Sequence, residues 1–328
     1  MKILLTGGSG FLGSHIAEQL TQQGHTVRAL VRKSSNKSFL EKLGGIEFAD
    51  GAISDVPSLE RAVDGVDAVI HSAGLVKAKK PEEFHRTNCG GTVNLLDAAL
   101  KHKERIKRFV LVSSLAAVGP SDDGSPVDPD NAPGPVTHYG RSKLAAEHAV
   151  RAKKDELPVT IIRPPAIYGP RDQEILAFFK AVKARVLPYF GTTENRVSMI
   201  YGADAAAACI RAVFADTPSG EAFFVEDGRA YKFSDMVEQV EQALGKRAWL
   251  RFPIPRPIMT TAALGSELYG KVANKPVMLT RDKLNELFAP HWVCSAERTK
   301  QALDWEPQVL FDEGARITAD WYRDAGWL

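Results

Sequence analysis

The sequence predicts an α/β protein, a doubly wound parallel sheet with a smaller, mainly helical C-terminal lobe. Three observations carry this. The apolar run Ile3-Leu4-Leu5 stops in a glycine turn, Thr6-Gly7-Gly8-Ser9-Gly10-Phe11-Leu12-Gly13, that opens directly into helical spacing. Short apolar runs then alternate with helical patterns up to about residue 165, the rhythm of parallel strands joined by crossover helices. Beyond that point the alternation loosens and helical patterns dominate from Tyr231 onward.

Taking the elements in order, the opening turn lets backbone N–H groups and the positive end of a helix face a pyrophosphate with no side chain in between. Gly7, Gly10 and Gly13 are spaced three and three, not the two and three of the common dinucleotide fingerprint. His15, Ile16, Ala17 and Leu20 form the buried stripe of the first helix, which Gly24 closes, and Thr26 to Val31 is the second strand. At its end stand Arg32 and Lys33, where an acid would bind a free ribose 2′-hydroxyl and cations suit a 2′-phosphate. These residues favour NADP(H) and leave NAD(H) as the other choice. Ile46 to Ala49 is a short third strand, Ser58 to Val63 a helix, and Asp67 to His71 a fourth strand ending at Ser72-Ala73-Gly74, small residues that leave room for a cofactor. His71 reads as a packed strand-end residue. Asn88 to Ala99 is helical, and Arg108 to Val112 is a fifth strand running into Ser113-Ser114.

A loop rich in Pro, Asp and Gly spans 119–135, followed by a helix opening at His138-Tyr139. Tyr139 and Lys143 lie four apart and share a helix face; of the seven tyrosines only Tyr139 has Lys at that spacing. Val159 to Arg163 is the sixth strand, and Pro164 to Pro170 reads as a rigid loop. Glu174 to Val186 and Ala203 to Phe214 read as helices, Glu221 to Val225 as a strand, and Phe233 to Leu244 as a helix. A Rossmann-type unit is thus expected over 1–165 with 203–226 returning to it, and a substrate-binding lobe from 166–202 and 227–328.

Composition bounds the rest. Hydrophobic residues are 44%, charged residues 25%, and the formal charge is +2, so bulk charge argues for neither a nucleic-acid nor an acidic-membrane partner. The basic run Lys101 to Arg108 reads as a solvated helix end. Cys89, Cys209 and Cys294 have no paired spacing, which argues against a disulfide framework and against a metal site. No apolar run is long enough for a signal peptide or a membrane span, and a cytoplasmic location is expected.

These residues in this order resemble the extended short-chain dehydrogenase/reductase family, also called the NAD-dependent epimerase/dehydratase family. The resemblance covers nearly the whole chain. It rests on Thr6 to Gly13, which explains the glycine spacing, on His71 to Gly74, Asn88 before Gly91-Thr92, Ser113-Ser114, Tyr139 to Lys143, and Arg163-Pro164 to Tyr168-Gly169-Pro170. It implies that Tyr139 is the acid/base, that Lys143 lowers the Tyr139 pKa and holds the nicotinamide ribose, and that Ser114, five residues before Gly119, hydrogen-bonds the reacting oxygen. It further implies a cofactor site from Gly7, Gly10, Phe11, Leu12, Gly13, Arg32, Lys33, Ser72, Ala73, Gly74, Asn88, Tyr139, Lys143, Pro164 and Ile167. Asn88 reads as a backbone organiser. A homodimer through the helices near Thr92 and Ser142 is also implied.

Two departures narrow the branch. The family's Gly-Asp after the third strand is here Gly51-Ala52, so the acid near adenine comes from Asp50 or Asp55, or is absent. Leu115-Ala116 replaces the Asp-Glu pair of sugar-nucleotide dehydratases, and Pro165-Ala166-Ile167 lacks the Asn that many sugar-nucleotide epimerases carry. The chain looks most like the 3β-hydroxysteroid dehydrogenase and dihydroflavonol-reductase-like branch, which implies hydride transfer on a secondary alcohol or ketone of a hydrophobic small molecule. A nucleotide-sugar 4-epimerase with tightly bound NAD and a non-catalytic dinucleotide sensor are the alternatives. The apolar stretch from Phe252 to Leu264 and Leu268 reads either as pocket lining or as ordinary core or an exposed docking patch.

Overall fold

The computed structural model describes residues 1–129 and 132–328; the part of the 119–135 loop at residues 130 and 131 lies outside the described residues. In chain order the elements are β1 (Lys2–Thr6), α1 (Phe11–Gln22), β2 (Thr26–Val31), β3 (Ile46–Asp50), α2 (Val56–Val63), β4 (Ala68–His71), α3 (Pro81–Phe84), α4 (Gly91–Leu100), β5 (Phe109–Val112), α5 (His138–Arg151) and β6 (Val159–Arg163). They continue as β7 (Ala166–Tyr168), α6 (Leu176–Lys183), β8 (Val186–Tyr189), β9 (Arg196–Tyr201), α7 (Gly202–Phe214), β10 (Glu221–Phe224), β11 (Ala230–Lys232) and α8 (Phe233–Leu244). The last are β12 (Leu250–Pro253), α9 (Arg256–Ala273), α10 (Arg281–Leu287), β13 (His291–Trp292), α11 (Glu297–Leu303) and α12 (Phe311–Asp324).

The main sheet has seven parallel strands in the order β10-β6-β5-β4-β1-β2-β3. Strand period two divides its side chains between two cores. Ile3, Leu5, Val110 and Ile162 pack under α1 and α7, whereas Leu4, Val69, Leu111 and Ile161 pack under α2, α4 and α5. The chain reverses direction across the sheet between β1 and β4, and such a switch point leaves a crevice at the strands' C-terminal ends. Thr6 and His71, adjacent in register, mark that place.

The second lobe has its own core, in which Tyr168, Phe179, Phe311 and Tyr322 are fully buried. It contains more strand than its sequence suggests. The stretch read as a loop after β6 forms β7, because Ala166 to Tyr168 pairs with Met199 to Tyr201. The helix expected from Glu174 to Val186 is shorter. Asp172 holds the Glu174 and Ile175 N–H groups ahead of its start, and Arg185, at φ +65°, turns the chain into β8, which pairs with β12. The lobe boundary at 227 is also crossed. Ala296, Leu303 and Trp305 insert into the first core, so α11 belongs to the sheet side of the molecule.

Among the described residues, no helix is long and apolar enough to cross a membrane, and no group of three His, Cys, Asp or Glu side chains could hold a metal ion.

Candidate active site

The glycine turn is shaped by contact as well as by flexibility. Gly7 adopts φ +75°, and a Cβ there would lie 2.7 Å from the Ala73 amide nitrogen. A Cβ on Gly13 would lie 2.0 Å from the Gly7 carbonyl oxygen, so Gly13 is the packing glycine that lets α1 sit against the turn. Above them lies a cleft of about 460 Å³ at the sheet's switch point, walled by Thr6, Gly7, Ser9, Gly10, Ser72, Ala73 and Gly74. A cradle of backbone that a single Cβ would fill suits a pyrophosphate, so the residues present fit a dinucleotide.

The far wall of this cleft contains Arg32, Ser35, Gly51 to Ser54, and Arg86. Arg32 and Arg86 are its only charged residues. Asp50 is instead paired with Lys37 at 3.4 Å, and neither it nor Asp55 lines the cleft; Ala52 and Ile53 stand where an acid was expected. Lys33 is exposed and stands outside the lining, as do Phe11 and Leu12, which begin α1. Pro164 and Ile167 also lie off the cleft. The Pro164 carbonyl accepts from the Leu115 N–H, and Ile167 pairs with Ile200 in β7 and β9.

The reacting end is built on α5. Thr137 caps this helix by accepting from the Gly140 N–H at 3.1 Å. A Cβ on Gly140 would meet the Ala116 carbonyl oxygen at 2.2 Å, so this glycine lets α5 approach the turn that carries Ser114. The Tyr139 phenol is thereby brought close enough to the Ser114 hydroxyl to interact with it. Burial pushes the Tyr139 pKa up to about 12; the Ser114 hydroxyl opposes that rise and the nearby Glu286 carboxylate adds to it. Tyr139 is therefore a neutral phenol near pH 7.

Lys143 is one turn along, and its ammonium donates to the Val112 carbonyl at 2.7 Å, close to Gly74 in the cofactor wall. Burial brings its pKa down to about 8, against the pull of Glu147. Its charge is thus directed at Val112 and Gly74, and Ser114 is the group that lowers the Tyr139 pKa here. Ser113 points the other way, donating to Glu147 Oε1 at 2.6 Å. Asn88 ties two segments together: Oδ1 accepts from the Leu75 N–H, and Nδ2 donates to the Leu75 carbonyl and to Ser142 Oγ. His71 lies buried between the Thr6 and Thr92 hydroxyls at 2.6 and 2.9 Å, and burial lowers its pKa to about 3, so it is a neutral structural group.

Tyr139 opens on its other side into a small cavity shared with Val76, Phe84, Val277 and Met278. That cavity adjoins a larger cleft of about 870 Å³ running between α3 and the C-terminal end of α9. Arg86, Gly140 and Glu286 escaped the sequence reading. Gly140 carried a local signal, since it sits between Tyr139 and Lys143, whereas the other two arrive by folding.

A glycine-cradled cleft at a sheet switch point, with a half-buried tyrosine and serine and a buried lysine nearby, defines a dinucleotide-binding class of protein. The chain belongs to the NAD dependent epimerase/dehydratase family, whose profile matches residues 3–225. It is 33% identical over 329 residues to a ceramide reductase of Caulobacter vibrioides, covering 99% of this chain and 96% of that one. It is 30% identical over 335 residues to a 2-alkyl-3-oxoalkanoate reductase of Stenotrophomonas maltophilia, covering 96% and 98%. To a UDP-glucose 4-epimerase of Vibrio cholerae it is 28% identical over 335 residues, covering 98% and 96%.

Proposed function

We propose that this protein uses NADP(H) to interconvert a ketone and a secondary alcohol on a lipid-like substrate. The observation that carries this reading is the place of Tyr139: it borders a small cavity with Val76, Phe84, Val277 and Met278, and one helical turn on, the Lys143 ammonium reaches Gly74 in the wall of the glycine cleft. Among the described residues, the charged groups of that cleft are Arg32 and Arg86. Two arginines with no carboxylate suit the extra phosphate of NADP(H). The apolar side chains next to Tyr139 suit a substrate with hydrocarbon around its carbonyl, and two of the similar proteins are named as reductases of lipid-like compounds.

The dinucleotide, when bound, supplies or accepts the hydride. Tyr139, a neutral phenol, gives its proton to the carbonyl oxygen as that oxygen gains charge during reduction, and takes it back in oxidation. Ser114 hydrogen-bonds the same oxygen and holds the phenol in place. Lys143, fixed by the Val112 carbonyl beside Gly74, holds the ribose side of the cofactor. Asn88 and Gly140 position these groups without touching the substrate.

Assay of NADPH oxidation over long-chain 3-oxo lipids, steroid ketones and UDP-sugars tests the proposal. Turnover of an apolar ketone that falls about a hundredfold or more in Tyr139→Phe is the expected result. The likeness to a UDP-glucose 4-epimerase supports a second reading, in which tightly held NAD serves one sugar nucleotide. Turnover of UDP-glucose without added cofactor would establish that reading and remove the first. The cofactor preference has its own measurement: Arg32→Asp weakens NADPH binding far more than NADH binding, and equal weakening would refute the preference.

A further inference from the structure

We infer that the outward face of α9 docks on the surface of an anionic lipid bilayer, placing the substrate cleft at the membrane. Met259, Ala263 and Gly270 turn inward, and the first two pack with Leu284 in a small apolar cluster. The opposite face is apolar as well. Ile258, Leu268, Tyr269 and Val272 are 61, 64, 63 and 81% exposed, and Leu264 lies on the same side. At 100° per residue these five fall within one face of the 18-residue helix. The only charges at its exposed positions are Arg256 at the start and Lys271 in the last turn. Glu267 is turned aside and paired with Arg281 at 3.1 Å.

Of the stretch expected to be pocket lining, core or an exposed patch, Ile258, Leu264 and Leu268 face outward, as an exposed patch would. Of the helix, only Glu267, Gly270 and Lys271 border the large cleft.

Charge selects the occupant. Lys79, Lys80, Lys271 and Lys275 gather on the rim of that cleft around the C-terminal end of α9; Arg281 there is paired with Glu267, and Glu83 and Asp282 are the remaining acids, so the rim keeps an excess of positive charge. An apolar helix face flanked by lysines matches acyl chains beneath anionic headgroups, and Tyr269 suits the boundary between them. A second copy of the chain, docked face to face about a two-fold axis, would bring an identical cationic rim against the first.

Position adds purpose. The cleft beside this end of α9 shares Ala78, Phe84, Val277, Thr280 and Asp282 with the cavity that holds Tyr139. The large cleft at α9 thus adjoins the small cavity at the phenol. This purpose rests on the lipid-substrate reading above, but the test does not.

The full chain is sedimented with extruded vesicles of phosphatidylcholine alone or mixed with phosphatidylglycerol. Binding to the mixed vesicles, weakening with added salt, is expected. Neutralising Lys271 and Lys275 as glutamines lowers it about fivefold per lysine. The double variant Leu268→Asp/Val272→Asp loses it by on the order of tenfold or more while keeping the wild-type thermal midpoint. A Tyr269→Trp reporter shifts its emission to the blue only with the mixed vesicles.

Equal sedimentation with both vesicle types, or equal binding by wild type and the double variant, would overturn the docking face. So would a solution dimer that the double variant splits, with no vesicle binding. Vesicle binding without turnover of any ketone would leave the face standing and remove the reductase reading; ketone turnover without vesicle binding would do the reverse.

Discussion

The charged contacts that hold helix α5 are buried, whereas those of helix α9 lie at the surface. On the sheet side of α5, Glu147 is fully buried and accepts from Arg163 Nε at 3.0 Å and Nη2 at 2.7 Å, from Ser113 at 2.6 Å, and from Arg151 at 3.0 Å. At the other end of the same helix, Asp282 of α10 accepts from the His138 N–H at 2.9 Å. Helix α9 rests on a few apolar contacts around Met259 and Ala263, with exposed polar ties from Arg281 to Glu267 and from Arg256 to Asn285. Charged hydrogen bonds are directional and fix a helix in rotation as well as position, whereas apolar contacts fix mainly its distance. On the proposed function, the helix that presents Tyr139 to a reacting atom has the first kind of hold, and on the proposed docking the helix that faces a fluid surface has the second.

Breaking the first hold gives the largest expected effect. Arg163→Met leaves the Glu147 carboxylate buried with its main partner removed, and is expected to lower unfolding stability by about 3–5 kcal/mol in a denaturant titration. Arg151, less buried, offsets little of this; a loss below about 1 kcal/mol would show that the network is dispensable. Next is Gly13→Ala, whose methyl would overlap the Gly7 carbonyl. It is expected to cost about 1–3 kcal/mol and to weaken NADPH binding in the same protein, measured by calorimetry.

Lys143 sharpens the comparison through pH. Its pKa, lowered to about 8 by burial, means that it is charged below that pH and neutral above it. NADPH affinity is expected to fall as pH rises through about 8, and Lys143→Met to remove that step from the titration. The smallest effect belongs to α9: Val272→Ser is expected to change stability by less than about 0.5 kcal/mol, since its side chain is already in solvent. A larger loss would mean that this face is covered.

The parts legible in sequence were those whose chemistry is local. The turn from Thr6 to Gly13, the four-residue step from Tyr139 to Lys143, and the serines ending β5 declare themselves because neighbours in sequence are neighbours in space. His71 was read correctly as a packed residue, though its partners Thr6 and Thr92 lie 65 and 21 residues away. Other features had no local signature. Arg86 enters the cofactor wall from the π-helical turn at His85–Gly90, far along the chain from Arg32. β7 and β8 exist because distant strands pair with them, which residue type alone does not reveal. On α9 both faces are apolar, so the apolar stretch did not say which side meets protein.

The sequence alone determined the doubly wound sheet, the glycine turn and the four-residue step from Tyr139 to Lys143 on one helix, because backbone conformation and helical spacing act over a few residues. Only the tertiary structure decided where charge and exposure fall. It set Glu147 between Arg163 and Ser113, turned Lys143 onto Val112, left the cofactor cleft with two arginines and no carboxylate, and faced Leu268 and Val272 outward. Burial and Coulomb interaction depend on everything packed around a group, and that neighbourhood is assembled from segments far apart in the chain.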